Sequence, residues 1–229
     1  NGSGQLGVGG GPDLPAPTTR ANFPINPTTI SVGDDHACAN GPGLASLCWG
    51  HNDNGVLGVD PGRVPQQGNP TSIGGATTTL SHIAGWHSCA LTGGTVACLG
   101  RGGEGELGDG ANMDSTVPRP VKGLADVTAI ATGGGPTDLD ASCAVTGGAV
   151  WCWGVGLFGR LGQGTADRAS TPVAVQGLPG PATKVAIGYD HACALLTDGD
   201  VWCWGKGDAG QLGDGRFASS FSPVRVLRP

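Results

Sequence analysis

Charge, methionine, tyrosine and long apolar runs are all scarce in this chain. Asp, Glu, Lys and Arg make up 13% of its 229 residues, with one Met, one Tyr and 5% aromatic residues. The lysines, Lys122, Lys184 and Lys206, lie far apart, and the formal charge is −6 with a pI near 5.1. Phosphate binding needs a clustered excess of Lys and Arg, so no nucleic-acid partner is expected. No apolar stretch approaches the roughly 20 residues that cross a bilayer as a helix, so no membrane span is expected either. Gly-x-Ser-x-Gly, the P-loop and His-Glu-x-x-His are all missing, which argues against an enzyme.

What the chain has instead is 45 Gly and 17 Pro, set among 38% hydrophobic residues. Gly and Pro in this amount describe tight turns. Val, Ile, Leu, Ala and Trp recur between them, which favours many short strands over disorder.

A repeat organises these strands. Gly-x-Leu-Gly occurs at 4–7, 55–58, 105–108, 159–162 and 210–213, at intervals of about 50 residues. Between copies come a Pro-containing stretch, an apolar strand, Cys-Ala, a turn and Cys-Trp-Gly or a variant. The fullest copy runs from Val185 through His191, Cys193, Cys203 and Gly205 to Gly210-Gln-Leu-Gly-Asp-Gly215 and Pro223-Val-Arg-Val226. Such a period, broken by Gly and Pro, excludes helical repeats and fits a propeller blade, commonly a four-stranded antiparallel sheet. The expected fold is all-β: a propeller of four Cys-hairpin blades plus a partial fifth unit. It is expected to form one domain over 1–229, with units at roughly 4–54, 55–104, 105–158, 159–209 and 210–229.

The strings Gly-x-x-His-x-Cys-Ala-Leu, Asp-Gly-x-Val-x-Cys-Trp-Gly and Gly-Gln-Leu-Gly-Asp-Gly resemble the repeat of the regulator of chromosome condensation family, in an exported, disulfide-bearing, bacterial-type form. That resemblance implies a ring usually of seven blades. Four hairpins, with both chain ends duplicating the same half of a blade, lead to the expectation of a partial propeller cut from a longer chain.

The eight cysteines fall into pairs: Cys38 with Cys48, Cys89 with Cys98, Cys143 with Cys152, and Cys193 with Cys203. Gly93-Gly94 and Gly147-Gly148 lie at the centres of the second and third pairs. Two-residue primed turns there, which favour Gly, put each Cys opposite its mate in a non-hydrogen-bonded position. Cross-strand disulfides are expected. The other two pairs are one residue further apart and require a longer turn or a bulge. Zinc lacks its usual C-x2-C spacing, and c-type haem lacks Cys-x-x-Cys-His. Four disulfides imply an oxidising compartment, hence a secreted or cell-surface location. Each small loop is expected to gain somewhat less than about 3 kcal/mol.

Alternation places Val150 and Cys152 on one face and Trp151 and Trp153 on the other, with the Trp face toward a neighbouring blade. Trp86 lies outside this pattern and is the aromatic expected to be exposed. His36, His87 and His191 share one repeat position, filled by Ala141 in the third copy. A metal ring of these His with Asp34, Asp35 and Asp190 is set aside, because blade-equivalent groups stand too far apart for one ion. Each imidazole is expected to satisfy backbone groups instead. Asp109 and Asp214, each before Gly, are read as Asx turns. Asp138-x-Asp140 opens like a Ca²⁺ loop but lacks the remaining ligands, and is read as a solvated loop.

Specificity belongs on loops that break the repeat: 133–140, 59–70 and the Pro-rich 9–27. Arg63, Gln66, Trp86, Asp138 and Asp140 are the expected partner contacts, with no cofactor and no metal. The leading functional expectation is an extracytoplasmic protein-binding or structural scaffold, able to assemble into a larger complex. The resemblance also implies two alternatives: guanine-nucleotide exchange on a small GTPase, and inhibition of an enzyme, since a related propeller blocks β-lactamases.

Overall fold

The computed structural model describes residues 1–16, 26–41, 46–72, 82–135 and 140–228. Their strands form four antiparallel sheets of four, each built in chain order. Blade 1 holds β1 (Thr29–Val32), β2 (His36–Asn40), β3 (Leu47–His51) and β4 (Gln66–Ser72). Blade 2 holds β5 (His82–Ile83), β6 (His87–Thr92), β7 (Thr95–Gly100) and β8 (Ser115–Pro120). Blade 3 holds β9 (Val127–Gly133), β10 (Ala141–Thr146), β11 (Ala149–Gly154) and β12 (Ala169–Ala174). Blade 4 holds β13 (Ala182–Ile187), β14 (His191–Leu196), β15 (Val201–Gly205) and β16 (Ser220–Arg225).

The sheets are offset from the repeat as counted from Gly-x-Leu-Gly. The four elements from Gly55 onward each lie inside a blade, in the connection from third to fourth strand, whereas the element at 4–7 precedes β1, so residues after Gly210 close the fourth sheet through β16 on β15.

The second and third strands of each blade form the expected hairpin. Gly93 and Gly94 have φ of 56° and 79°, as do Gly147 and Gly148, the double positive φ of a type I′ turn. Cys89 then pairs with Cys98, and Cys143 with Cys152. In blade 4 the Leu196 amide bonds the Asp200 carbonyl around a longer turn with Gly199 at φ 83°. This supplies the extra residue between Cys193 and Cys203. All four disulfides are present, with Cα–Cα separations of 4.0–4.1 Å.

The core lies in the seams between blades. The blade 1 disulfide packs with Leu99 of blade 2. The blade 2 disulfide packs with Trp153 of blade 3, and the blade 3 disulfide with Trp204 of blade 4. The two faces of the alternating strand therefore have different neighbours. One carries the disulfide toward the next blade, and the other carries Trp or Leu toward the previous one, interleaved with the small Ala144 or Ala194.

Candidate functional site

In three blades the third-strand indole is held by the Gly-x-Leu-Gly element one repeat earlier in the chain. The Trp49 indole N–H donates to the Gln5 carbonyl at 2.8 Å, that of Trp153 to Glu106 at 2.9 Å, and that of Trp204 to Arg160 at 2.7 Å. In the three elements that hold a Trp, the second Gly has φ near 70° and lies against the ring. A Cβ on Gly7, Gly108 or Gly162 would stand 2.9–3.0 Å from the indole nitrogen. Only Gly meets both demands. Leu replaces Trp at position 99 of blade 2, and that seam closes on Val56 and Leu57 without the indole bond.

The first-to-second-strand loops converge at the inner end of the seams. His36 Nε2 lies 3.3 Å from Ser88 Oγ of the next blade. His87 Nε2 lies 2.7 Å from Ser142 Oγ, and His87 Nδ1 meets Asp140 Oδ2 at 3.1 Å. The Trp86 amide donates to that same Oδ2 at 2.7 Å. The partners are thus side chains of the following blade, not the backbone groups that sequence alone suggests. Where Ala141 replaces His in blade 3, Ala192 replaces Ser in blade 4, so an apolar pair stands in for a polar one.

Burial pushes the His36 imidazole down to about 3, so it is neutral. Burial alone would raise the Asp140 carboxyl, but the His87 hydrogen bond and attraction, the Trp86 amide and Arg160 outweigh it and hold it below its ordinary value. Partial desolvation of the exposed Asp34, with the charges of Asp140 and Asp35 nearby, raises its carboxyl above the ordinary value. Arg160, 1% exposed, is drawn down to about 10 by burial and donates to the Val155 carbonyl within blade 3 and to the Tyr189 carbonyl across the third seam.

Ser142, His87 and Asp140 have the connectivity of a hydrolytic triad, yet all three are 0% exposed. A substrate has no route to Ser142 Oγ, and the group joins blades 2 and 3. Among the described residues, no cluster of three or more His, Cys, Asp or Glu side chains is arranged to hold a metal ion.

The expected partner contacts separate. Arg63 is exposed, 3.7 Å from Asp60, and Gln66 is exposed at the start of β4, opposite His51. Asp138 lies outside the described residues. Asp140 is buried by His87 and Trp86, which corrects its reading as a solvated contact residue. Trp86 is half-buried rather than exposed. It lies edge-on to His51 with ring centroids 6.1 Å apart, its indole nitrogen buried without a partner. Asp109 and Asp214 accept from the Ala111 and Arg216 amides at 2.9 and 3.0 Å, as Asx turns require.

The profile of the regulator of chromosome condensation (RCC1) repeat matches residues 147–195 and 198–229. Human E3 ubiquitin-protein ligase HERC2 is 36% identical over 174 residues, 73% of this chain and 4% of that protein. The ultraviolet-B receptor UVR8 of Arabidopsis thaliana is 34% identical over 142 residues, 61% of this chain and 32% of the receptor. The chain therefore spans less than a third of either relative. Human WBSCR16 superposes with a TM-score of 0.84 at 24% identity, covering 100% of this chain and 61% of that one. Yeast RCC1 (Prp20), in a crystal structure bound to Kap60, gives a TM-score of 0.74 at 20% identity, covering 92% of this chain and 50% of that one. With the repeat, the four-stranded blades and these relatives in agreement, the chain belongs to the RCC1 repeat family.

Proposed function

We propose that this chain is part of a protein-binding propeller that works in an oxidising, extracytoplasmic compartment and presents its loops to a partner. The observation that carries this reading is the set of four hairpin disulfides, with no free cysteine among the described residues. Disulfides of this kind persist outside the reducing cytosol. A binding role draws support from where the polar groups go. The His–Ser, His–Asp and indole–carbonyl bonds join blade to blade, leaving exposed residues such as Arg63 in the β3–β4 connection and Gln66 at the start of β4 for a partner. The recess beside Trp86, lined by Asp34, Asp35, His36, His51 and Asp53, holds about 20 Å³, room for little beyond one water. Kap60 binding by yeast RCC1 is a precedent for a protein partner on this fold.

A nucleotide-release assay over a panel of small GTPases tests the reading. No acceleration is expected at catalytic concentrations of the chain. Acceleration would replace the scaffold with an exchange factor.

A further inference from the structure

Gly210-Gln-Leu-Gly213 has the backbone of the elements that hold a tryptophan. Gly213 has φ 64°, against 67° at Gly108 and Gly162. Its amide donates to the Gly210 carbonyl and its carbonyl accepts from the Leu227 amide. Gly108 makes the same bonds with Gly105 and Lys122, and Gly162 with Gly159 and Gln176. A Cβ on Gly213 would lie 3.0 Å from Val226 Cγ1, as one on Gly108 would from Val121 Cγ1 at 3.0 Å and one on Gly162 from Val175 Cγ1 at 2.9 Å. Leu212 is 0% exposed, like Leu161. The backbone and the valine wall of an indole site are therefore built. The open side differs. The tryptophan of the next blade covers Gly108 and Gly162, whereas the three atoms nearest a Cβ on Gly213 all belong to Val226, and Gly213 is exposed.

The rest of that face follows the same plan. The Cys193–Cys203 disulfide is the counterpart of those that pack on Trp153 and Trp204, and Cys193 is half-buried where theirs are 0% exposed. His191 pairs with Gly205 as His87 pairs with Gly100. It is half-buried, whereas His87 is enclosed with Ser142 of the following blade. Gly105 and Gly159 press on Ser170 and Phe221 in the fourth strand of the following blade, while the nearest neighbour of Gly210 is Phe217 of its own connection. A disulfide, an imidazole, the Gln211 carbonyl and a glycine thus stand in the spacing of a seam, and the surface that fits a seam is known from inside the molecule. Ser142 pairs across its hairpin with Trp153, so one hairpin presents both the hydroxyl and the indole.

The seam indoles of this chain are already bonded within it, and blade 2 has Leu99 opposite Ser88. In blade 1 the residue before the first cysteine is Ala37, which offers no hydroxyl to His191, and Trp49 is bonded to Gln5. A second copy of the chain therefore fits poorly. We propose that the Gln211 carbonyl, Gly213, Val226, His191 and the Cys193–Cys203 disulfide form a docking face for a disulfide-closed hairpin of a partner protein, which lays a tryptophan on Gly213 and a serine against His191. The indole N–H donates to the Gln211 carbonyl, and burial of the ring against Val226 and the disulfide supplies the remaining affinity. This face belongs to the sheet of blade 4, so it stands or falls separately from the loop surface proposed above.

An oxidised synthetic peptide copying residues 141–154 serves as the probe, because it carries Ser142 opposite Trp153. Labelled with fluorescein, it is expected to give a saturable anisotropy change with the intact chain. Trp153→Leu in the peptide is expected to weaken binding at least about tenfold. Gly213→Ala in the chain is expected to weaken it by a similar factor. Gly164→Ala, at another positive-φ glycine with nothing within 4 Å of its Cβ, leaves it unchanged. Ser142→Ala in the peptide is expected to weaken binding about threefold, and His191→Ala in the chain to erase that difference. No saturable binding up to about 1 mM peptide, equal affinities of the tryptophan and leucine peptides, or equal effects of the two glycine substitutions would overturn the proposal. Self-association of the chain that Gly213→Ala abolishes would overturn it in favour of a second copy.

Discussion

Gly162→Ala should cost far more stability than the same change two residues later. Both positions have positive φ, 67° at Gly162 and 88° at Gly164. Holding Ala in that region costs about 1–2 kcal/mol at either one. Nothing lies within 4 Å of a Cβ on Gly164, so its cost ends there. At Gly162 the methyl would stand 2.9 Å from both Trp204 Nε1 and Val175 Cγ1. Pushing the buried indole aside adds about 1–3 kcal/mol of overpacking. Stretching its bond to the Arg160 carbonyl adds about 1–3 kcal/mol more for an unpaired buried donor. Gly213→Ala is the intermediate case, with φ 64° and only Val226 at 3.0 Å. Urea denaturation without reductant should rank the losses Gly162 > Gly213 > Gly164, with a first-to-last gap of at least about 2 kcal/mol. Losses equal within about 0.5 kcal/mol, the usual scatter for an inconsequential surface change, would refute the claim that Gly-x-Leu-Gly is a seam fastener.

Three further predictions concern the seams. Glu106 is 0% exposed and burial raises its pKa above the ordinary value, so whatever it contributes is present at low pH and lost as pH rises through the folded value. Glu106→Gln, which places at 106 the residue found at the equivalent Gln5 and Gln211, should stabilise the chain at pH 7 relative to wild type and lose that advantage at pH 4. Denaturation midpoints at the two values decide it, and an advantage confined to pH 4 would reverse the argument. Ser142→Ala should cost about 1–3 kcal/mol, and His87→Ala about 3–5 kcal/mol because it strips a partner from the buried Asp140 carboxylate. Equal losses in calorimetry would show that the carboxylate does not depend on His87. Cys193 is half-buried, whereas both cysteines of each other pair are 0% exposed. Limiting reductant followed by alkylation should label Cys193 and Cys203 first; first labelling of Cys143 and Cys152 would contradict the packing order.

The blades were legible because their determinants are local. A Gly-Gly centre fixes which residues stand opposite across a hairpin, so the pairing of Cys143 with Cys152 followed from counting. Alternation then assigned Trp153 to the opposite face. The fastenings between blades were not legible, because each joins residues about one repeat apart: Trp204 to Arg160, 44 residues away, or His87 to Ser142, 55 away. A trace of the second kind does exist in the sequence. His36 and His87 are each followed one repeat later by Ser88 and Ser142, whereas Ala141 is followed by Ala192, a correspondence visible only once the seam is known. Asp140 was misplaced for the same reason. Its loop reads as polar and Gly-rich, but a histidine and an amide from the previous blade draw the carboxylate inside.

The most direct test is a disulfide map of the protein taken from its native source, alkylated before lysis and digested without reductant. The account predicts no alkylated cysteine and four linked peptides, joining Cys38 to Cys48, Cys89 to Cys98, Cys143 to Cys152 and Cys193 to Cys203. Alkylated cysteines in the native material, or links between different blades, would contradict an oxidised propeller working outside the cytosol.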